Sequence, residues 1–248
     1  MQLWSKGLLA IAGVAGLSAL CVSSASAAPI TGTVNISGSV AVGGTFIDFQ
    51  PPVGPPSGSF AVSNTGNTGS FAGLNNTTGT IMDLNETVQT PGVSFAPLTG
   101  FLTFASAPNI RLDLTSIDVG SFTSTECFAA PAAGQTCTPP LGFGGAVGTN
   151  PFNLNNTTAS TSSASITFHG TAVNTTTGET SSFVGIFSSQ FTVPYQVLLA
   201  DIAAGTTVST SYSATITATT SAVPEPATMI LLGSGLIGIF VIGRKRTR

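Results

Sequence analysis

Apolar residues recur at every second position along much of this chain, and that spacing admits strands and little else. Val34, Ile36, Gly38, Val40 and Val42 alternate with small or polar residues, and Val208, Thr210, Tyr212, Ala214 and Ile216 do the same near the other end. Side chains two apart share one face of a strand, so each run has a face for a core and a face for water. Ile110-Arg111-Leu112-Asp113-Leu114 repeats the pattern with charges on the wet face, where Arg111 and Asp113 point the same way and can pair. Ile166 and Phe168 alternate with Thr167 and His169, and Phe183, Phe187, Phe191 and Val193 share one face of another run. Gly, Asn and Pro punctuate these runs at intervals expected of a two-sheet fold. One segment breaks the period: Pro194 to Ala204 reads as a short helix, opened by Pro and stopped before Gly205, crossing between the last two strands. The expected body is all-β, a β-sandwich or jelly-roll-like fold with one short helix. Pro51–Ser59 and Gly134–Pro151 read as irregular stretches.

Charged residues make up 6% of the 248, against roughly 25% in an ordinary soluble domain. Disorder goes with high net charge and low hydrophobicity, and this chain has neither. Of the six basic residues, only Arg111 is not terminal. Between it and the ends lie Asp48, Asp83, Glu86, Asp113, Asp118, Glu126, Glu179 and Asp201. Eight acids against one base repel a polyanion, which argues against nucleic acid as a partner.

The two ends read as addresses. Residues 1–27 have the plan of a secretory signal peptide: Lys6, then an uncharged apolar stretch from Gly7 to Val22, then Ala25-Ser26-Ala27 as the small-x-small site for signal peptidase. Ala25 and Ala27 are the cleavage residues, and the cut falls after Ala27. An uncleaved membrane helix is the other reading of this segment; lipidation at Cys21 is disfavoured by bulky Leu20 before it. Residues 28–222 then form the mature extracellular body, and 223–248 form a tail. In the tail Pro224-Glu225-Pro226 precedes the uncharged apolar run from Met229 to Gly243, and Arg244, Lys245 and Arg246 follow. From Ala227 the run gives about 25 Å of helix, near the lower limit for a transmembrane span. The basic cluster would hold the end in the cytoplasm.

This order of parts closely resembles the PEP-CTERM sorting signal of Gram-negative bacteria. The residues that carry the resemblance are Pro224-Glu225-Pro226, the apolar span and Arg244-Lys245-Arg246. It implies recognition by an exosortase, a membrane-embedded cysteine protease–transpeptidase, with transient anchoring in the inner membrane before the tail is removed. It also implies a destination at the cell surface or in the extracellular matrix, in association with exopolysaccharide or biofilm. Pro224 and Pro226 fix φ and keep the recognition segment extended.

Chemistry-bearing motifs are sparse. Once Cys21 leaves with the signal peptide, Cys127 and Cys137 are the remaining pair, and export through an oxidising compartment favours a disulfide between them. It would staple an otherwise irregular insertion. Two Cys without nearby His make a poor metal site. His169 is the single histidine, placed by the pattern at a strand edge before Gly170, and no Ser or Asp beside it in sequence completes a triad. Asp83-Leu84-Asn85-Glu86 offers oxygens of the kind Ca²⁺ takes, without the rest of a ligand set. We assign no catalytic residue, metal or cofactor. Leu74-Asn75-Asn76-Thr77-Thr78 recurs as Leu154-Asn155-Asn156-Thr157-Thr158, which leaves a duplicated half-barrel open although the flanks do not align. The expectation is a non-enzymatic exported matrix protein. A carbohydrate-binding module is the alternative, weakened because the only Trp, Trp4, lies in the signal peptide.

Overall fold

The alternating runs become long strands that share one sheet. The computed structural model describes residues 28–49, 57–140 and 149–220. Strands β1 (Gly32–Val42), β2 (Phe46–Phe49), β3 (Ser57–Val62), β4 (Thr78–Met82), β5 (Leu84–Asn85) and β6 (Ser94–Phe104) are followed by β7 (Ala107–Ile117) and β8 (Thr136–Cys137). Then come β9 (Asn153–Asn156), β10 (Ser162–Asn174), β11 (Thr180–Phe191), helix α1 (Tyr195–Ala203) and β12 (Val208–Thr219). The signal peptide with Ala25 and Ala27 lies outside the described residues. So does the tail with Pro224, Glu225, Pro226, its apolar span and Arg244, Lys245 and Arg246. Among the described residues no helix is long and apolar enough to cross a membrane.

Eight strands pair antiparallel in chain order, β1-β3-β4-β6-β7-β10-β11-β12, and β12 returns to β1. The ring closes. The fold is therefore an up-and-down barrel, and the expected sandwich or jelly roll is corrected: those folds split the strands between two sheets, whereas here one sheet has curled until its first and last strands meet. The closing seam is long. β1 and β12 pair over eleven positions, from Gly32 opposite Ala218 to Val42 opposite Val208. On its other side β1 meets β3 only at Ile36 and Ser37. The rest of that edge is covered by β2 at Val40–Val42 and by the segment around Thr68–Ser70, whose N–H groups bond the Thr33 and Thr31 carbonyls.

An eight-stranded barrel is just wide enough for side chains to fill, and aromatic rings do most of the filling. Phe49, Phe101, Phe168, Phe187 and Tyr212 form one connected cluster, with Phe168 and Phe187 ring centroids 4.8 Å apart. Phe60, Phe71 and Phe104 form a second. Phe71 and Leu74 come from a 3₁₀ turn, Gly69–Leu74, and both are buried within the barrel core. Two glycines make room for rings. A Cβ on Gly170 would stand 2.8 Å from Phe183 Cζ, and one on Gly38 would stand 2.9 Å from Tyr212 Cε1.

Helix α1 has the expected bounds to within a residue, with Pro194 in the N-cap position. As expected, it connects the last two strands, β11 and β12. β11 and β12 are hydrogen-bonded neighbours, and the helix between them covers the end of the barrel where β12 starts. The repeated pentapeptide has no structural counterpart. Its first copy ends the 3₁₀ turn, with Asn76 at φ 57°, whereas Leu154–Asn156 of the second lies in β9. The duplicated half-barrel is thereby dropped.

Candidate functional site

The outer face of β11, β12 and β1 is paved with hydroxyl and amide groups. None of the three strands contains a charged residue. Interior positions of β12 are Tyr212, Ala214, Ile216 and Ala218; the exposed ones are Ser209, Ser211, Ser213, Thr215, Thr217 and Thr219. Register sets these beside outward residues of both neighbours. Thr33, Asn35, Ser37 and Ser39 of β1 face Thr217, Thr215, Ser213 and Ser211. On the other flank Ser188 faces Ser213. The rows are hydrogen-bonded: Thr215 Oγ1 donates to Asn35 Oδ1 at 2.9 Å, and the Ser188–Ser213 and Ser182–Thr219 hydroxyl pairs are each 3.3 Å apart. Strand geometry spaces such groups at about 4.8 Å across and about 6.8 Å along the sheet. Val184 and Ile186 are its exposed apolar members.

The sequence-derived side chains fall elsewhere. Arg111 and Asp113 pair as expected, with Nε and Nη2 each donating to a carboxylate oxygen at 2.8 Å. Asp113 also accepts the Gly100 N–H, which fixes a break in the β6–β7 ladder rather than a binding site. His169 is not at a sheet edge, as β10 is paired on both sides there. Its Nε2 lies 2.9 Å from Asp118 Oδ2, and register places Ser116 opposite it. Sequence reasoning missed this constellation because 51 residues separate Asp118 from His169. No hydrogen bond joins Ser116 to the imidazole among the described residues, and the Asp118 side chain is 54% exposed.

Asp83 accepts the Phe49 N–H at 2.8 Å, while Asn85 Oδ1 caps the following turn through Thr87. Burial pushes the Asp83 carboxyl above its usual range; the Phe49 bond opposes this, and Asp48 adds to it. The Ca²⁺ reading of Asp83–Glu86 loses Asn85 to the turn. No group of three or more His, Cys, Asp or Glu that could hold a metal comes together among the described residues.

The disulfide joins Cys127 and Cys137 with Cα atoms 5.1 Å apart, and both residues are fully buried. Its insertion builds a second small core with Leu154, Tyr195 and Leu198, beneath α1. Tyr195 Oη donates to the Glu126 carbonyl, and Asn156 accepts the Tyr195 N–H. Asn156, Gln135 and Gln196 close an amide network at 2.9–3.1 Å. Asn156, which opens the N-x-Thr sequence Asn156-Thr157-Thr158, is wholly buried and so inaccessible to a glycan in the folded protein.

Between this cap and the aromatic cluster lies an apolar cavity of about 100 Å³. Val40, Phe49, Phe187 and Tyr212 line it from the barrel, and Leu198 and Ile202 from α1. Tyr212 is 5% exposed, and its hydroxyl has no hydrogen-bond partner among the described residues. Burial pushes that hydroxyl's pKa well up, so it stays protonated.

The described body is thus a closed all-β barrel with an uncharged outer face and a capped end. The model of the PEP-CTERM protein-sorting motif matches residues 222–246. That motif implies an exported protein processed by an exosortase, with a surface or extracellular destination. No curated protein and no solved structure matches the chain.

Proposed function

We propose that the barrel is a non-enzymatic component of the extracellular matrix, released from its tail by exosortase and held there by contact with exopolysaccharide. In this reading signal peptidase removes residues 1–27, and the tail anchors the precursor transiently in the inner membrane. The observation that carries it is the hydroxyl and amide face of β11, β12 and β1. A neutral polysaccharide presents donors and acceptors of the same kind, and a face without charges meets it with no ion to desolvate. Many weak hydrogen bonds over a wide area suit retention in a hydrated polymer better than capture of one sugar. The test is co-sedimentation of the exported protein with exopolysaccharide from the producing cells. Ser37→Lys, Ser213→Lys and Thr215→Lys together should abolish it without lowering the melting temperature. Equal sedimentation of the triple variant, or none by the parent protein, sinks the reading. The non-enzymatic part fails if hydrolase screening finds an activity that one Asp or Glu substitution removes.

A carbohydrate-binding module is the second reading, favoured by Phe128, which is 79% exposed in the disulfide-stapled insertion. Sugars stack on such rings. Binding to a defined glycan that Phe128→Ala removes would select it over matrix retention.

A further inference from the structure

We propose that the groove between Gly92–Ser94 and the end of β7 is a subsite for one sugar unit of a neutral polysaccharide, held by two adjacent hydroxyls on the Asp118 carboxylate. The inference rests on the polysaccharide reading and deepens it: the hydroxyl face supplies area, and this groove supplies selectivity.

Register carries the hydroxyl face into the groove. Thr33 of β1 pairs with Thr217 of β12, Thr217 with Val184 of β11, and Val184 with His169 of β10. His169 pairs with Ser116 of β7, and Ser116 with Ser94 of β6. Residues directly opposite one another share a face of the sheet. One outward row therefore crosses six strands, from Thr33 to Ser94. At about 4.8 Å between strands the row is roughly 24 Å long. A polymer lying across the strands meets hydroxyls at one end of the row and the groove at the other.

The groove measures about 390 Å³, inside the range of about 300–1,000 Å³ for small-molecule sites. Ser94 and Ser116 line it beside Asp118, and Val93 and Val119 expose apolar surface to it. Gly92 donates its N–H to the Ile117 carbonyl at 2.8 Å and so holds the two walls together. His169 Nε2 donates to Asp118 Oδ2 and fixes the carboxylate, while Asp118 Oδ1 accepts no hydrogen bond among the described residues. An ionised carboxylate has about four acceptor positions, so three stay open to a ligand. These groups select the ligand class. One carboxylate and one imidazole are too few for a metal. Asp118 repels an anionic sugar, and Arg111, the only base between the termini, is taken up by Asp113. A sugar diol brings two O–H donors side by side to the carboxylate, and its C–H face can lie on Val93 and Val119. Hydrogen bonds to an ionised acceptor are the strong kind.

Periodate cleaves the carbon–carbon bond between adjacent free hydroxyls, and borohydride reduction then leaves a neutral polymer without the diol. Co-sedimentation of the exported protein with exopolysaccharide from the producing cells, native and so treated, tests the subsite. The parent protein should bind the native polymer about tenfold more tightly, as for a hydrogen bond to a charged group. Asp118→Asn and, separately, Ser94→Gln, which fills the groove, should weaken native binding about tenfold and bind both polymers alike. Both positions are exposed, so melting temperatures should hold. Added salt should leave the affinity unchanged, because the ligand carries no charge. Amide shifts with oligosaccharides cut from the native polymer should include Gly92, Ser116 and Val119. Parent binding indifferent to periodate, or Asp118→Asn binding like the parent, would overturn the subsite and leave the matrix reading standing. Binding lost in salt would overturn the neutral ligand. No binding of the native polymer by the parent protein would sink both.

Discussion

Tyr195 Oη donates a hydrogen bond to the Glu126 carbonyl oxygen across 3.1 Å, and so ties helix α1 to the residue preceding Cys127. The cap over the barrel is thereby one unit with the disulfide insertion. Replacing Cys127 and Cys137 by Ser should cost about 2–3 kcal/mol, the loop-closure value for a ring this short. Urea melts of parent and variant measure it, and peptide mapping without reduction should show the 127–137 link.

Tyr195→Phe isolates the hydrogen bond from the packing. We expect a loss of about 1 kcal/mol and faster amide exchange in α1, with the β1–β12 seam unchanged. Hydrogen exchange followed residue by residue would show whether the cap loosens alone or the barrel with it.

Gly38→Ala tests the tight side of the barrel. The new methyl would press on the Tyr212 ring, and Tyr212 is held by Phe49 and Phe187. Overpacking of this kind costs about 1–3 kcal/mol. A variant as stable as the parent would mean that the ring has room to move.

Asp83 gives the fold a pH dependence of unusual sign. A carboxyl whose folded pKa is raised binds its proton more tightly in the folded state. Its contribution is therefore full below the unfolded value near 3.8 and is lost as pH rises through the raised folded value. Asp83→Asn keeps an acceptor for the Phe49 N–H and removes the ionisation. The variant should gain less than about 1 kcal/mol at pH 7, given solvent screening, and nothing at pH 3. Urea melts at both pH values decide it; a loss at pH 7 would show that the charge stabilises.

The tail can be tested apart from the barrel. Changing Pro224, Glu225 and Pro226 to Ala should leave the precursor uncleaved in the membrane fraction. Normal maturation of that variant, read by mass on immunoblots, would count against sorting through the motif that matches there.

Much of the local structure was legible in the sequence. Val208 to Ile216 announced β12 because alternation survives in any half-buried strand, and Pro194 and Gly205 bracketed α1 within a residue. The closed ring was not legible, since a sandwich strand and a barrel strand carry the same period of two. Closure depends on Val34 meeting Ile216 across most of the chain, and no local signal encodes that. β3 was hidden for a different reason: Ser57-Gly58-Ser59 reads as loop, and only its neighbours β4 and β1 make it a strand. Asp118 reached His169 by the same long-range pairing. The Tyr212 hydroxyl was beyond sequence reasoning altogether, because an unpaired donor is defined by what surrounds it.

The seam between β1 and β12 also fixes which way the molecule faces. Gly32 and Ala218 lie together at one pole, and Val42 and Val208, which help line the cavity, lie at the other. The described chain therefore enters and leaves the barrel side by side. Whatever grips the protein through the residues after Thr219 holds it by the first pole, like a lamp on its stem. The capped mouth lies at the other pole, away from the strand ends at Gly32 and Ala218.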